Sequence, residues 1–110
     1  MLERAAADWQ DVAALDQLDA DFPLSAQIGH QQVGIYLLGD QVHAIEDVCP
    51  HAEALLSQGF VENGVVECPL HGAQFEIATG KSLTEICDRD LTCFPVRVQD
   101  GRVFIRLVPA

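Results

Sequence analysis

The sequence predicts an all-β fold of short antiparallel strands, arranged as a sandwich or a small barrel. Tight-turn dipeptides recur between short apolar runs, at Gly39-Asp40, Asn63-Gly64 and Asp100-Gly101. The runs on either side of the last turn alternate apolar and polar residues, which is typical of strands with one buried face. Helical periodicity is weak along the whole chain, so strands and turns dominate the prediction.

The first predicted strands lie in the amino-terminal half. Residues 11–18 have some helical spacing, but they also fit a strand followed by a turn. Residues 22–28 predict a strand that turns at Gly29-His30, and residues 33–38 and 41–46 predict a hairpin around Gly39-Asp40. The dipeptides Asn63-Gly64 and Asp100-Gly101, further along the chain, favour positive φ and therefore tight hairpins of type I′.

The carboxy-terminal half continues this pattern. Residues 52–56 fit one short helical turn, and residues 61–62 and 65–67 flank the Asn63-Gly64 turn. A further hairpin is predicted around Asp100-Gly101 because apolar residues alternate on both sides of it. The residues predicted to share its buried face are Val96, Val98, Val103, Ile105 and Leu107.

Length and charge narrow the classes of protein to consider. The 110 residues favour one domain, residues 1–110, with a net charge of −11. The six Lys and Arg residues form no basic stripe, so we expect no nucleic-acid partner. The start lacks the apolar segment of a signal peptide, and no apolar run approaches the roughly 20 residues that cross a bilayer. We therefore expect a soluble cytoplasmic protein without a membrane partner.

Two short segments combine the residue types that bind metals, Cys49-Pro50-His51 and Cys68-Pro69-Leu70-His71-Gly72. In a reducing compartment cysteines are more often metal ligands or buried thiols than disulfides. Two Cys and two His could bind a tetrahedral Zn²⁺, although zinc sites more often pair like ligands within one segment. One sulfur and one nitrogen from each segment fit a [2Fe–2S] cluster with two chemically distinct irons.

The segments and their spacing resemble the Rieske family, in particular the small Rieske ferredoxins of bacterial aromatic-ring dioxygenase systems. The family pattern is Cys-x-His, a spacer, and Cys-x-x-His; here the spacer is residues 52–67. Residues 68–81, Cys-Pro-Leu-His-Gly-Ala-Gln-Phe-Glu-Ile-Ala-Thr-Gly-Lys, are similar to the second half of the family motif. Residues 94–96, Phe-Pro-Val, resemble the strand that follows it.

The resemblance implies three stacked antiparallel sheets with one Rieske [2Fe–2S] cluster at a tip, bound by about residues 46–82. Cys49 and Cys68 would bind the inner iron, and His51 and His71 would bind the outer iron at the surface. The chain would then be a monomeric electron carrier and not an enzyme. Its partners would be a flavin-containing NAD(P)H-dependent ferredoxin reductase and a terminal Rieske oxygenase, which would dock near Pro50, Pro69 and Leu70.

Three other functions remain open at this point. The chain could be the small Rieske subunit of a nitrite reductase, whose sequences often lack some of the ligands. It could be a Rieske oxygenase or a fragment of one, but beyond the ligands only His30 and His43 remain for a mononuclear iron site. It could also be a zinc-bound interaction module.

The remaining cysteines match no ligand position. We expect Cys87 and Cys93 to be buried or half-buried thiols. Residues 82–88 fit the third loop over the cluster, but they lack the prolines that the family usually has there, so the shape of this loop is not predicted.

The residues beside the ligands predict a low reduction potential. High-potential respiratory members carry a disulfide where this chain has Ala54 and Leu70, and serine and tyrosine donors where it has Ala73 and Phe75. A hydrogen bond to a charged acceptor is worth roughly 1.5–3 kcal/mol, so each lost donor lowers the potential by roughly 65–130 mV. A redox titration should give a midpoint near the lower Rieske limit of about −150 mV. A strongly positive midpoint would contradict this prediction.

Overall fold

The computed structural model describes residues 9–50, 53–85 and 89–107. In this part of the chain ten strands form three antiparallel sheets, which confirms the all-β prediction. The strands are β1 (Trp9–Ala14), β2 (Leu24–Ile28), β3 (Gln31–Leu38), β4 (Gln41–Glu46), β5 (Phe60–Glu62), β6 (Val65–Glu67), β7 (Gln74–Glu76), β8 (Cys93–Phe94), β9 (Val96–Gln99) and β10 (Arg102–Arg106). Two 3₁₀ helices are present, at Leu15–Gln17 and Leu56–Gln58. No helical segment in these ranges is both long and apolar enough to cross a bilayer.

The sheets are a terminal sheet (β1-β10-β9), a middle sheet (β2-β3-β4-β8) and a small sheet (β5-β6-β7). The middle sheet contributes to two apolar cores because successive strand residues point to opposite faces. Its first core joins the terminal sheet and contains Val33, Ile35, Ala44, Phe94 and Ile105. Its second core joins the small sheet and contains Tyr36, Ile45, Val66, Phe75 and Ile77.

Both turns that the sequence predicts as type I′ have the expected backbone conformation. Asn63-Gly64 has φ of 54° and 77°, and Asp100-Gly101 has φ of 53° and 74°, as the type I′ turn requires. In the turns at Gly39-Asp40 and Gly29-His30 only the glycine has positive φ. The latter two pairs place glycine first and therefore need no non-glycine residue in the left-handed region.

Two ambiguous segments are resolved by their partners. Residues 11–18 begin in β1, which pairs with β10, and then form the 3₁₀ helix Leu15–Gln17, so the strand-and-turn alternative is confirmed. The helical turn predicted at residues 52–56 instead occupies Leu56–Gln58. It starts there because the N–H of Leu56 donates to the main-chain oxygen of Asp47 at 2.7 Å. Ala52 lies outside the described residues.

The last hairpin buries less than its pattern predicts. Val103 and Ile105 are fully buried on β10, but Val98 is 45% exposed and Leu107 is 37% exposed. The strand β9 is one of the two outer strands of the terminal sheet, so a side chain there has a neighbouring strand on one side only. Trp9 on β1 packs beneath Arg97, whose guanidinium carbon lies 4.5 Å from the ring centroid.

Gly59 marks a point where the chain passes very close to itself. A Cβ on Gly59 would lie 1.9 Å from the main-chain oxygen of Glu67 and 3.1 Å from Cδ of Pro69. The obstruction from Glu67 is main chain and cannot rotate away. The backbone before β5 and the segment that begins at Cys68 therefore require a residue without a side chain at this position.

Gly59→Ala should lower the stability of the protein by about 1–3 kcal/mol, as overpacking does. Gly39→Ala is the matched control, since its Cβ would meet nothing within 4 Å and its cost comes from its positive φ of 63° alone. Urea unfolding followed by circular dichroism measures both variants. A smaller loss for Gly59→Ala than for Gly39→Ala would contradict the steric explanation.

Candidate metal centre

Two loops carry the candidate ligands, and both loops close in the same way. The first loop (residues 47–55) follows β4, and the second loop (residues 68–73) joins β6 to β7. The N–H of Cys49 donates to the oxygen of Ala54 at 2.9 Å, and the N–H of Cys68 donates to the oxygen of Ala73 at 2.8 Å. Each cysteine therefore stands at the first position of a closed turn, and the two loops present their sulfur atoms from equivalent places.

The loops separate sulfur from nitrogen. Cys49 and Cys68 are 2% and 1% exposed, and both belong to the core that joins the middle and small sheets. His71 is exposed on the second loop, and its neighbour Leu70 is 59% exposed. The second loop thus directs a thiol inward and an imidazole outward. His51, the fourth candidate, lies outside the described residues.

Gly72 gives the second loop its reversal. Its φ is +77°, a conformation that L-residues with a side chain avoid, and its N–H donates to the oxygen of Cys68 at 3.2 Å. The nearest atom to a Cβ on Gly72 would be Oε2 of Glu67 at 3.7 Å, which is an ordinary contact. The backbone conformation, and not a lack of space, therefore favours glycine beside His71.

A buried carboxylate holds the base of the first loop. Asp47 is fully buried. Its carboxylate accepts hydrogen bonds from Oγ of Ser25 at 2.6 Å, from Oγ of Ser57 at 2.7 Å and from the N–H of Ser57 at 2.8 Å. Its own N–H donates to the oxygen of Gln32 at 3.0 Å. These contacts join the middle sheet to both ends of the loop that contains Cys49.

The sequence around Asp47 does not predict this role. Ser25 and Ser57 lie 22 and 10 residues away along the chain, so no local motif connects them. One feature of the sequence does indicate that Asp47 has a partner. An aspartate stands between the apolar run of β4 and the first cysteine, and a charged side chain at such a buried position needs a partner.

Gly34 makes room for a tyrosine beside this carboxylate. A Cβ on Gly34 would lie 2.9 Å from Cε1 of Tyr36 and 3.0 Å from Oδ1 of Asp47. The Tyr36 hydroxyl is buried and has no hydrogen-bond partner among the described residues. Burial, and then the charge of Asp47, raise the pKa of Tyr36 far above its usual range, so the hydroxyl stays protonated.

A salt bridge connects Arg89, which follows residues 86–88, to β4, the strand that precedes the first loop. Nη1 and Nη2 of Arg89 each donate to the carboxylate of Glu46 at 3.0 Å, and the N–H of Thr92 donates to it at 2.7 Å. Burial alone would raise the pKa of Glu46, but the bonds from Arg89 and Thr92 outweigh it and the pKa is lowered. The segment from Arg89 to Thr92 is therefore fixed next to β4.

The predicted third loop is only partly described. The N–H of Leu83 donates to the oxygen of Gln74 at 2.8 Å, which sets residues 82–85 against β7. Cys87 lies outside the described residues. Cys93 is a half-buried free thiol on β8, as predicted, and burial raises its pKa.

Two residues near the candidate ligands, Ala73 and Phe75, have no side-chain group that could donate a hydrogen bond. Ala73 and Phe75 are fully buried in the same core as the two cysteines. Ala54 is half-buried in the first loop. The predicted docking residues Pro69 and Leu70 are exposed, whereas Pro50 is half-buried.

The donors fit a two-iron cluster with mixed ligands. The two buried cysteines can bind one iron as thiolates inside the core, and an exposed imidazole can bind a second iron toward the surface. In residues 9–50, 53–85 and 89–107, no three His, Cys, Asp or Glu side chains form a group that could hold a single metal ion. His30 lies in the exposed β2–β3 turn, and His43 lies half-buried on β4.

Comparison with known proteins gives a consistent result. Residues 8–106 match the model of the Rieske-like [2Fe–2S] domain family. The anthranilate 1,2-dioxygenase ferredoxin subunit of Burkholderia cepacia is 34% identical over 107 residues, which is 97% of this chain and 99% of that protein.

Two solved structures show the same fold. A chain in the complex of reduced oxygenase and oxidised ferredoxin in carbazole 1,9a-dioxygenase has a TM-score of 0.86 and 32% identity, over 93% of this chain and 95% of that chain. A protein assigned as the small subunit of an NADH-dependent nitrite reductase from Mycobacterium tuberculosis has a TM-score of 0.81 and 25% identity, over 93% of this chain and 96% of that chain.

Asp47→Ala should destabilise the protein by at least about 3 kcal/mol, because three donors lose a charged acceptor in the interior. The variant should also retain less iron after purification, since the first loop loses its attachment to the middle sheet. Asp40→Ala, in the exposed β3–β4 turn, is the control. Urea midpoints and iron-to-protein ratios measure both effects. Equal values for the two variants would contradict the role assigned to Asp47.

Proposed function

Because the chain belongs to the Rieske-like [2Fe–2S] domain family, we propose that it is a one-electron carrier that serves a terminal aromatic-ring oxygenase. The main support for this proposal is the geometry of the second loop. The second loop buries the thiol of Cys68 and exposes the imidazole of His71 three residues later. A redox centre bound in this way is insulated from water on one side and open to a partner protein on the other.

The proposed ligands are Cys49 and Cys68 for the inner iron and His51 and His71 for the outer iron. The matching closure of the two loops and the burial of both thiols support this set. When bound, the cluster supplies reversible one-electron oxidation and reduction. The chain holds the thiols in its core, positions the second loop through Gly72 and leaves His71 at the surface for contact with a partner. We further propose a single domain, residues 1–110, whose cluster-binding part is about residues 46–82.

The local environment supports a low reduction potential. Ala73 and Phe75 stand fully buried near the thiols and offer no O–H donor to sulfur. The net charge of −11 also disfavours the addition of an electron, although solvent and salt reduce this effect. A low potential suits an electron carrier that receives electrons from a reduced flavin and passes them to an oxygenase.

The proposed partners are a flavin-containing NAD(P)H-dependent ferredoxin reductase and a terminal Rieske oxygenase, which this chain would meet as a monomer in the cytoplasm. An exposed apolar side chain beside His71 supports a docking surface there, since Leu70 is 59% exposed. Such a small apolar patch suits short-lived contacts, which a carrier with two partners requires.

A nitrite reductase small subunit is the second candidate. The 25% identity and TM-score of 0.81 to the Mycobacterium tuberculosis protein favour it. The 34% identity to the anthranilate dioxygenase ferredoxin subunit over almost the full length of both chains favours the carrier of an oxygenase system. The two candidates differ in the protein that accepts the electron.

Photoreduced protein should transfer one electron per two irons to the oxidised oxygenase component of anthranilate 1,2-dioxygenase. Stopped-flow absorbance of the two proteins measures the transfer. Oxygen-dependent hydroxylation of an aromatic substrate by this chain alone would show instead that it is an enzyme.

His71→Cys should lower the midpoint potential or abolish the cluster, because a thiolate adds negative charge at the outer iron. His43→Ala is the matched control, a half-buried histidine on β4 outside both loops, and its visible spectrum and midpoint should equal those of the wild type. A changed spectrum in His43→Ala, or an unchanged one in His71→Cys, would show that the proposed ligand set is wrong.

A further inference from the structure

A groove of about 880 Å³ opens between the segment that leads into β2 and the strand β5. The strand β2 is an outer strand of the middle sheet, and β5 is an outer strand of the small sheet. In the described residues no further strand covers the groove from these two edges.

Two aromatic side chains line this groove and remain exposed. Phe22 is 72% exposed and Phe60 is 67% exposed, the two highest values among the large apolar residues described. The N–H of Phe22 donates to the oxygen of Asp19 at 3.2 Å, so Phe22 sits on a closed turn, and Phe60 begins β5. Two exposed aromatic rings on ordered backbone are typical of a binding surface.

The groove is adjacent to both ligand loops. Ser57 lines it and donates two hydrogen bonds to Asp47, at the base of the first loop. Gly59 lines it and lies against Glu67 and Pro69, at the start of the second loop. A protein segment bound in the groove would therefore lie beside the loops that present the redox centre.

The charges of the groove define the chemistry of its occupant. Asp21 and Glu62 line it, and no Arg, Lys or His is among its described lining residues. A cationic side chain that stacks on an aromatic ring between carboxylates gains both cation–π and ionic attraction. A second copy of this chain fits poorly, because each copy carries a net charge of −11.

We propose that the groove between Phe22 and Phe60 binds an arginine- or lysine-bearing surface segment of a redox-partner protein. This inference rests on the proposed function, because it assigns a recognition surface to the same electron carrier. The electron passes where the partner protein contacts His71, and the groove fixes the position of the partner beside that contact. The aromatic rings supply attraction at short range, and Asp21 and Glu62 select a basic surface.

The test uses cytochrome c, a small basic haem protein, as the electron acceptor. The holoprotein is photoreduced and mixed with oxidised cytochrome c in a stopped-flow instrument at low salt. The double variant Phe22→Ser/Phe60→Ser should lower the second-order rate constant by at least about fivefold. Its midpoint potential and electron paramagnetic resonance spectrum should match those of the wild type, because neither residue is in the two loops.

Val98→Ser is the matched control for the loss of exposed apolar surface. Val98 is 45% exposed on β9 and does not line the groove, so its rate constant should equal that of the wild type. A charge pair makes the test sharper. Glu62→Lys should slow electron transfer more than Asp16→Lys, an exposed residue in the 3₁₀ helix Leu15–Gln17, although both change the net charge by the same amount.

Equal rate constants for the wild type and the Phe22→Ser/Phe60→Ser variant would overturn the groove proposal and leave the carrier function intact. A wild-type dimer in size-exclusion chromatography that becomes a monomer in this variant would also overturn it, because the groove would then bind a second copy. Failure of the reduced wild type to reduce cytochrome c at all would instead count against the proposed function.

Discussion

The buried carboxylate of Asp47 is the constraint on which the arrangement of the centre depends. It accepts hydrogen bonds from Ser25 at the edge of the middle sheet and from Ser57 in the 3₁₀ helix that follows the first loop. A carboxylate without partners could not remain in this interior, so the middle sheet and the first loop can only pack together with these donors in place. Cys49 lies two residues beyond Asp47, and its position follows from that anchor.

Different structural features position the second loop, which presents Cys68 to the same core. The positive φ of Gly72 reverses the chain, the small sheet carries Cys68 at the end of β6, and Gly59 allows the two segments to approach. The result is a site with sulfur in the core and nitrogen at the surface. Ala73 and Phe75 are buried on the core side of this site, and their apolar side chains donate no hydrogen bond to the thiols. The packing that buries the two thiols is therefore the same packing from which we expect a low reduction potential.

The sequence predicts what is local and misses what is distant along the chain. Asn63-Gly64 and Asp100-Gly101 determine their turns through their own φ preferences, and the alternating residues of β10 identify its buried face. The 3₁₀ helix at Leu56–Gln58 is displaced from its predicted place because Asp47 bonds to Leu56 and Ser57. The exposure of Val98 and the groove between Phe22 and Phe60 depend on which strands form sheet edges, which periodicity cannot show.

The proposed [2Fe–2S] cluster is held by two cysteines inside the core and by two histidines, of which the structure describes His71, at the surface. Pulsed electron paramagnetic resonance of the dithionite-reduced protein tests it most directly, because it measures both the average g value and the nitrogen ligands. We expect a low average g value, typical of mixed nitrogen and sulfur ligation, with couplings from two histidine nitrogens. A spectrum without nitrogen couplings, or a colourless zinc-loaded protein without a signal, would contradict it.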